Sequence, residues 1–357
     1  MHVLVTGNTG YVGPAVAGTL REDYAGLSIT GYDTGFFAHC LTGAQRLPEA
    51  RLDRQVFGDV RELDPALLDG VEAVVALAAV SNDPMGDRYQ QVTEAVNRDA
   101  TMNLARAAKA RGAKRFVFAS SCSIYGLAEG GPRRESDALN PLTAYARSKV
   151  DTERELATLA DESFTVTCLR FATACGWSER LRLDLVLNDF VAGALATGRI
   201  HILSDGSPWR PLIVIDDMAR AVSWAVTRDA GNGGHFLAVN TGANRWNYQV
   251  RDLAKAVGEV VPDVQIDIDA SAQPDKRSYR VDFGLFERLA PAHQPRVELA
   301  QAIEILRDGL QGMSFADPNY RDSSLIRMNV LGEHVRTGRL DEKLRWVDRV
   351  SGTPDRD

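Results

Sequence analysis

Two polar side chains spaced one helical turn apart carry the clearest chemical signal in this 357-residue sequence. Tyr145 and Lys149 form a Tyr-x-x-x-Lys pattern in a segment that predicts a helix over residues 143–160. Residues i and i+4 share a helix face, so the ammonium of Lys149 can favour the tyrosinate of Tyr145. A phenol with a reference pKa of about 10 needs such help to act as a base near neutral pH. The alternative is a solvated helix face without chemistry.

Two hydroxyls, Ser120 and Ser121, end a predicted strand upstream of this helix. A hydroxyl at the carboxyl end of a strand lies in the crevice where doubly wound sheets bind ligands. Together, the hydroxyls and the Tyr-x-x-x-Lys helix predict a site at which a proton is removed from a bound substrate.

A glycine-rich loop opens the chain and predicts a dinucleotide site. Residues 6–13 (TGNTGYVG) give Gly-x-x-Gly-x-x-Gly between a predicted strand and a predicted helix. Glycines allow the tight turn, the close approach of a pyrophosphate and close packing of the helix, whose N-terminus favours phosphate. The alternative is a glycine-rich turn that binds nothing. The candidate cofactor contacts in this loop are Gly7, Thr9, Gly10, Tyr11, Val12 and Gly13.

Asp33 ends the second predicted strand, 20 residues after the last glycine of the loop. A carboxylate at this place accepts hydrogen bonds from the adenosine ribose and repels the 2′-phosphate of NADP. No arginine follows directly, so the sequence favours NAD over NADP. The alternative is a turn or capping aspartate.

Strands that alternate with helices predict the fold: an α/β protein with a doubly wound parallel (Rossmann) sheet and a smaller, interwoven C-terminal α/β substrate-binding domain. The predicted strands cover residues 3–6, 28–32, 55–58, 73–76, 115–120, 164–170 and 235–240. The predicted helices cover residues 11–22, 89–111, 143–160, 185–197, 218–228, 250–260 and 299–310. We expect an NAD-binding domain over residues 1–175, with a strand and helix returning from about 212–242. Residues 176–345 would mainly bind substrate, and 346–357 form a polar tail, with fraying expected from Arg345.

Composition excludes several classes of function. A net charge of −7 and a pI of about 5.5 argue against nucleic-acid binding over the whole surface. Four cysteines without Cys-x-x-Cys spacing or a histidine cluster argue against a metal site. No apolar run reaches the ~18 residues that span a bilayer. Because the first strand begins at once, no targeting segment is expected, and we predict a cytoplasmic protein with reduced thiols.

The combined motifs resemble the extended short-chain dehydrogenase/reductase family, in its nucleotide-sugar epimerase/dehydratase branch. The resemblance extends over nearly the whole chain. It rests on residues 6–13, Asp33, 58–60, 77–79, Asn97, 120–126 (SSCSIYG), 145–149, 169–171, 210–217 (RPLIVIDD), 240–242 and 275–282 (DKRSYRVD).

The resemblance implies roles for these residues. Ser121, Tyr145 and Lys149 would be catalytic, with Tyr145 taking the sugar hydroxyl proton as hydride passes to NAD. Further cofactor contacts would be Asp59 and Val60 beside adenine, with Leu77, Ala78, Ala79, Asn97 and Ser120. The nucleotide-diphosphate sugar would contact Ser121, Cys122, Ser123, Thr173, Asn188, Arg210, Arg277 and Tyr279. Arginine suits the diphosphate because its donors are planar and forked. A surface ion pair is the alternative for Arg277.

Departures from the family pattern bear on the reaction. Ala76 and Val214 stand where many relatives carry histidine, which weakens the transfer of an exact activity. In 4,6-dehydratases of the family the catalytic hydroxyl is followed by Asp-Glu, where this sequence has Cys122 and Ser123. Neither a thiol nor a serine hydroxyl is a good general acid at neutral pH, so the sequence favours 4-epimerisation. Cys122 is either an inert small group or part of an unusual elimination.

Three further functions stay open beside the 4-epimerase. They are a nucleotide-sugar dehydrogenase or 4-ketoreductase, an atypical dehydratase, and a non-catalytic NAD-binding regulator. The last is disfavoured because a sensor needs no base beside the nicotinamide. We expect a homodimer, since the predicted helices at 89–111 and 143–160 would each supply more apolar surface than one sheet face needs, and relatives pair them.

Overall fold

A computed structural model describes residues 1–128, 130–269 and 277–347 of the chain. Its centre is a seven-stranded sheet in which every neighbouring pair is parallel, in the order β10-β6-β5-β4-β1-β2-β3. The strand order reverses between β1 and β4, which makes this edge the crevice where such sheets bind ligands. The predicted doubly wound α/β fold is confirmed. The sheet strands are β1 His2–Thr6, β2 Ser28–Asp33, β3 Arg54–Phe57, β4 Ala73–Ala76, β5 Arg115–Ser121, β6 Thr165–Phe171 and β10 Phe236–Thr241.

Helices cover both faces of the sheet, as continuous apolar strands require. The α-helices are α1 Gly13–Asp23, α2 Asp83–Arg88, α3 Gln90–Glu94, α4 Thr101–Ala110, α5 Ala144–Ala157, α6 Val186–Thr197, α7 Ile215–Ala225, α8 Val250–Val260, α9 Gly284–Leu289, α10 Leu299–Gly312 and α11 Arg327–Arg336. The sequence predicted neither α9 nor α11.

Two small sheets lie outside the central one. The first has the order β11-β9-β7, from Asn247–Gln249, Trp209–Val214 and Thr173–Cys175, and the second pairs β12 (Gln265–Ile268) with β8 (Arg199–Ile202). The later half returns to the early half: the hydroxyl of Tyr24 donates to the Ser223 carbonyl of α7 at 2.8 Å. The division of the chain into two domains stays a prediction.

The predicted helix over residues 89–111 is wrong in one respect, because a π-helical stretch, Ala95–Ala100, interrupts it between α3 and α4. Asn97 explains the break. Its backbone carbonyl accepts a hydrogen bond from the Thr152 hydroxyl, and its side-chain amide pairs with both backbone groups of Val80. These tertiary bonds compete with the regular helix ladder, which residue spacing alone does not reveal.

The outward surface of α4 and α5 is charged rather than apolar. Arg98 pairs with Glu94 at 2.7 Å and with Glu155 at 3.1 Å, and Arg106 reaches Glu155 at 3.5 Å. Of the described residues, no exposed large apolar side chain lies on either helix. The apolar surplus given as the reason for a homodimer is therefore wrong, and the homodimer itself stays a prediction.

The expected fraying from Arg345 is wrong at its start, and residues 348–357 lie outside the described residues. Arg345 pairs with Glu62, and the indole Nε1 of Trp346 donates to the Thr34 carbonyl at 2.7 Å. Within the part of the chain that the structure describes, no helix is long and apolar enough to cross a membrane, and no His, Cys, Asp and Glu group could hold a metal. Cys40, Cys122, Cys168 and Cys175 are buried and unpaired; the cytoplasmic location stays a prediction.

Candidate active site

A cavity of about 800 Å³ opens at the carboxyl ends of β1, β2, β4 and β5. This volume lies in the upper part of the range for small-molecule sites, which is roughly 300–1,000 Å³. The cavity is lined both by the glycine-rich loop and by residues from the later half of the chain. The predicted residues that line it are Gly7, Gly10, Tyr11, Val12, Asp33, Asp59, Val60, Leu77, Ala78, Ala79, Ser120, Ser121, Ser123, Tyr145, Lys149, Thr173, Arg210, Arg277 and Tyr279.

The glycine-rich loop is built so tightly that side chains would not fit. Gly7 has a φ of +77°, and an added Cβ would lie 2.5 Å from the backbone nitrogen of Ala78. An added Cβ at Gly13 would lie 2.0 Å from the Asn8 carbonyl oxygen. Gly13 therefore packs against the loop itself, and the packing expected between helix and sheet is not what requires a glycine there. Pro14 follows as an early helical residue of α1, where its missing N–H is not needed.

Asp33 connects the end of β2 to the loop. Its carboxylate accepts hydrogen bonds from the backbone amides of Thr9 at 3.0 Å and Gly35 at 2.7 Å. Burial raises the pKa of Asp33, while the two amides and the charge of Arg180 lower it. Arg180 itself pairs with Glu49 at 2.7 Å and donates to the Phe37 carbonyl. The arginine whose charge acts on Asp33 is thus already engaged with other partners, which agrees with a preference for NAD.

Tyr145, Ser121 and Lys149 lie together at the inner end of the cavity. Burial, followed by the negative charge of Asp83, raises the pKa of Tyr145 to about 12, while the Ser121 hydroxyl and the charge of Arg182 lower it. Lys149 lies 5.4 Å from the Tyr145 ring centroid.

The charge expected from Lys149 is modest, because burial lowers the pKa of this ammonium to about 7. Its Nζ donates to the Ala119 carbonyl at 2.6 Å.

A buried ion pair lies behind Lys149 on the next turn of α5. Glu153 receives hydrogen bonds from Arg170 at 2.8–3.1 Å and from the Ser120 hydroxyl at 2.5 Å. The negative charge of Glu153 raises the pKa of Lys149, which partly offsets the effect of burial. Because Glu153 lies on α5 and Arg170 on β6, this ion pair joins the helix to the sheet, and Arg170 also donates to the Tyr125 hydroxyl.

Sequence reasoning missed Arg182, a buried cation that lines the cavity. Its guanidinium bonds both carboxylate oxygens of Asp184 at 2.8 and 2.9 Å, and the Ser81 hydroxyl at 2.8 Å. Asp184 also accepts a hydrogen bond from the amide of Asn82. The only sequence feature that indicates this ion pair is the Arg-x-Asp pattern of residues 182–184.

Arg277 is connected to α5 through Asp83, a residue that the sequence analysis did not single out. Its guanidinium donates to Asp83 at 2.7 Å, and the Thr143 hydroxyl donates to the other carboxylate oxygen at 2.6 Å. Thr143 is the N-cap of α5, because its hydroxyl also accepts from the amide of Ala146. The ion pair kept as the alternative for Arg277 is therefore present, at the wall of the cavity. Arg210 donates to the carbonyls of Trp209 and Arg277.

Three predicted contacts are turned away from the cavity. Asn188 is fully buried, accepts from the Gly176 amide and donates to the Tyr11 hydroxyl, so it fixes the loop around Gly176. The Cys122 thiol is fully buried and donates to the Arg170 carbonyl at 3.0 Å, and burial raises its pKa. Asn97 holds the backbone of Val80, as described above. None of these three residues lines the described cavity.

Thr9, Ala76 and Val214 are also buried. Thr9 is fully buried and contributes its backbone amide to Asp33, so its side chain does not face the cavity. Ala76 and Val214, which replace the histidines of many relatives, are each 4% exposed and pack in the core.

Comparison with known proteins gives a consistent pattern. Residues 3–242 match the model of the NAD-dependent epimerase/dehydratase family. A UDP-glucose 4-epimerase from Mycolicibacterium smegmatis is 27% identical, over 85% of this chain and 96% of its own. TunA, an NAD-dependent NDP-hexosamine 5,6-dehydratase, superposes with a TM-score of 0.75 at 22% identity, covering 89% and 99% of the two chains. MoeE5, solved with UDP-glucose and NAD, gives a TM-score of 0.74 at 24% identity, covering 88% and 100%. These two structures show the shared fold.

Proposed function

This chain belongs to the NAD-dependent epimerase/dehydratase family, and we propose that it is a nucleotide-sugar 4-epimerase that retains its NAD between turnovers. The observation that carries the proposal is the grouping of Ser121, Tyr145 and Lys149 in one cavity, with no carboxyl at the two positions after Ser121. The similarity to a UDP-glucose 4-epimerase supports the substrate class, a nucleotide-diphosphate sugar.

The state of the carboxylates in the cavity supports epimerisation over loss of water. Each aspartate that lines the described cavity already accepts hydrogen bonds from an arginine or from backbone amides. The aspartates are Asp33, Asp59, Asp83, Asp184 and Asp189, with Arg61, Arg277, Arg182 and Arg321 as the arginine partners. These hydrogen bonds engage the carboxylate oxygens with protein partners, whereas a dehydratase requires a carboxyl that is available to donate a proton to the sugar.

The residues present fit a dinucleotide. The loop around Gly7 leaves no room for side chains, so its backbone can approach a pyrophosphate, and the N-terminus of α1 favours the negative charge. Asp33 stands at the end of β2 with its carboxylate in the cavity, where the adenosine ribose would bind. When bound, NAD supplies the acceptor, and later the donor, of a hydride at the sugar carbon.

The residues of the protein remove the proton of the sugar hydroxyl and later return it. Ser121 donates a hydrogen bond to the reacting oxygen, and Tyr145 removes its proton as a carbonyl forms. The charge of Arg182 favours the tyrosinate, and Lys149 binds the ribose beside the nicotinamide. After the keto sugar rotates, Tyr145 returns the proton to the same oxygen. Arg210 and Arg277 hold the diphosphate, Tyr279 lies near that site, and Thr173 contacts the substrate.

The test is product analysis with a panel of UDP- and dTDP-linked hexoses and pentoses, in deuterated water without added NADH. Epimerisation gives a product of unchanged mass with no solvent deuterium on carbon, and Tyr145→Phe should form none. A product lighter by one water identifies a dehydratase. NADH that accumulates in step with product identifies a dehydrogenase.

A homodimer is the second part of the proposal. Because α4 and α5 present charged side chains, a dimer through this face would be held by ion pairs and weaken as salt screens them. Light scattering at micromolar protein should give a dimer at low ionic strength and a shift toward monomer at high ionic strength. A monomer at low ionic strength rejects the homodimer.

A further inference from the structure

The C-terminal segment of residues 327–347, called here the C-terminal strap, lies on the cofactor side of the cavity. It consists of α11 and the turns that follow it, which an antiparallel bridge between Leu340 and Trp346 closes. It lies outside residues 3–242, which match the family model. Three of its residues, Arg327, Leu331 and Leu344, nonetheless line the same cavity as Asp33 and Gly7.

Polar contacts attach the strap to the loops that follow β2 and β3. The guanidinium of Arg61 donates to the carbonyls of Lys343 at 2.8 Å and Leu344 at 3.0 Å. The indole of Trp346 donates to the Thr34 carbonyl at 2.7 Å, and His334 Nε2 lies 3.1 Å from the Phe36 carbonyl oxygen. These loops leave the carboxyl ends of two sheet strands, where ligands bind in this fold.

An apolar cluster packs the strap against the residues that follow β4. Leu331, Leu340 and Leu344 are 2–3% exposed and pack with Val80 and Met85. The Trp346 ring lies 5.4 Å from the ring of Phe36. This cluster is separate from the two larger cores, so its packing can change without opening them.

The position of the contacts identifies which end of the cofactor the strap would cover. Thr34 directly follows Asp33, the candidate ribose ligand. Arg61 directly follows Val60 and holds Asp59, to which it donates from Nε at 2.9 Å. The strap is therefore joined to both sides of the adenosine subsite and lies far along the chain from the catalytic helix.

We propose that the C-terminal strap is a wall of the adenosine subsite that slows the exchange of NAD. Leu344 and Leu331 would cover the adenine, and Arg61 would link the strap to Asp59. Cofactor retention by the strap needs only that NAD binds in this cavity. Its use, keeping the reduced cofactor in place until hydride returns to the sugar, rests on the proposed epimerase function.

The experiment compares Leu344→Asp and Trp346→Ala with the control Val347→Ala in the full-length chain. Val347 is 47% exposed, as Trp346 is at 46%, but it lacks the indole that donates to the Thr34 carbonyl. Dissociation rates and Kd are measured for NAD and for ADP-ribose, which keeps the adenosine side and lacks the nicotinamide. We expect Leu344→Asp to weaken both ligands about tenfold or more, because a charge replaces apolar cover. Trp346→Ala should raise both dissociation rates several-fold, and the control should stay within about twofold of wild type.

The same variants separate a cofactor wall from a structural support. The melting temperature of the ligand-free protein is recorded for each variant. If Leu344→Asp does not fold, the result for Trp346→Ala alone tests the proposal. NAD and ADP-ribose dissociation at the wild-type rate in the folded variants overturns the proposal. So does weaker NAD binding with unchanged ADP-ribose binding. The measurements use no sugar nucleotide, so they stand whichever reaction the enzyme catalyses.

Discussion

The two halves of the cleft are built from different kinds of groups. On the cofactor side, backbone groups shape the wall: Gly7 and Gly13 admit no Cβ, and Asp33 is fixed by two backbone amides. On the substrate side, charged side chains shape it, as in the pairs Arg277–Asp83 and Arg182–Asp184. The cofactor side can therefore bind the same part of a ligand whatever its side chains are, whereas an exchange of single side chains can change the specificity of the substrate side.

This difference explains what the sequence could predict. Glycine spacing and Asp33 act within one βαβ unit, so local spacing indicates the cofactor side. Arg277 meets Asp83 across 194 residues and Arg182 meets Ser81 across 101, so neither partner could be found from spacing. The doubly wound sheet followed from apolar strands alternating with helices, which is also a local pattern.

The residues that the structure turns away from the cavity show the limit of a family resemblance. The resemblance implies ligand contacts for Asn188 and Cys122, but a position in a family pattern does not tell which way a side chain points. Both are turned into the core, where they hold backbone groups. The helix α11 was missed because its apolar residues pack on a satellite cluster formed by distant loops.

The largest effect is expected from a change on the substrate side that leaves the cofactor side intact. Tyr145→Phe removes the base but almost no volume. We expect turnover to fall by roughly 10²–10⁴-fold, the usual contribution of a general base. NAD affinity, measured by calorimetry, should stay within about twofold. Near-normal turnover would mean that another group takes the proton.

On the cofactor side, a single methyl group at the glycine-rich loop should be nearly as damaging. Gly7→Ala forces a strained φ and a collision with the Ala78 backbone, so we expect NAD binding to be lost. Gly112→Ala is the matched control, because Gly112 has a φ of +87° but open space around its Cβ position. The control should lose only about 1 kcal/mol of unfolding free energy. Equal losses of NAD affinity in both variants would refute the close-approach role.

Asp33→Ala tests the one charged side chain on which the cofactor side depends. Hydrogen bonds to charged groups contribute roughly 1.5–3 kcal/mol, so NAD affinity should fall about tenfold or more. NADP affinity should fall less or rise, because the charge that repels its 2′-phosphate is removed. Fluorescence titration of both cofactors measures the ratio. Wild-type protein that prefers NADP would contradict the assignment.

The smallest effect is expected from Asp83→Asn on the substrate side. The charge of Asp83 raises the pKa of Tyr145, so its removal lowers that pKa. The tyrosinate then forms at lower pH, and the rising limb of the kcat profile should move toward acid by less than about one pH unit. KM should rise, because Arg277 loses its charged partner. A shift of the rising limb toward alkaline pH would contradict the expected effect of the Asp83 charge on the pKa of Tyr145.

The central claim is that hydride leaves and returns to the same sugar carbon while Tyr145 holds the hydroxyl proton. A UDP-hexose carrying deuterium at C4 tests it directly, with the product position of the label read by NMR. The account predicts a product with inverted C4 configuration that keeps its deuterium at C4. Deuterium found at C6 of a product lighter by water, or released on free NADH, would contradict it.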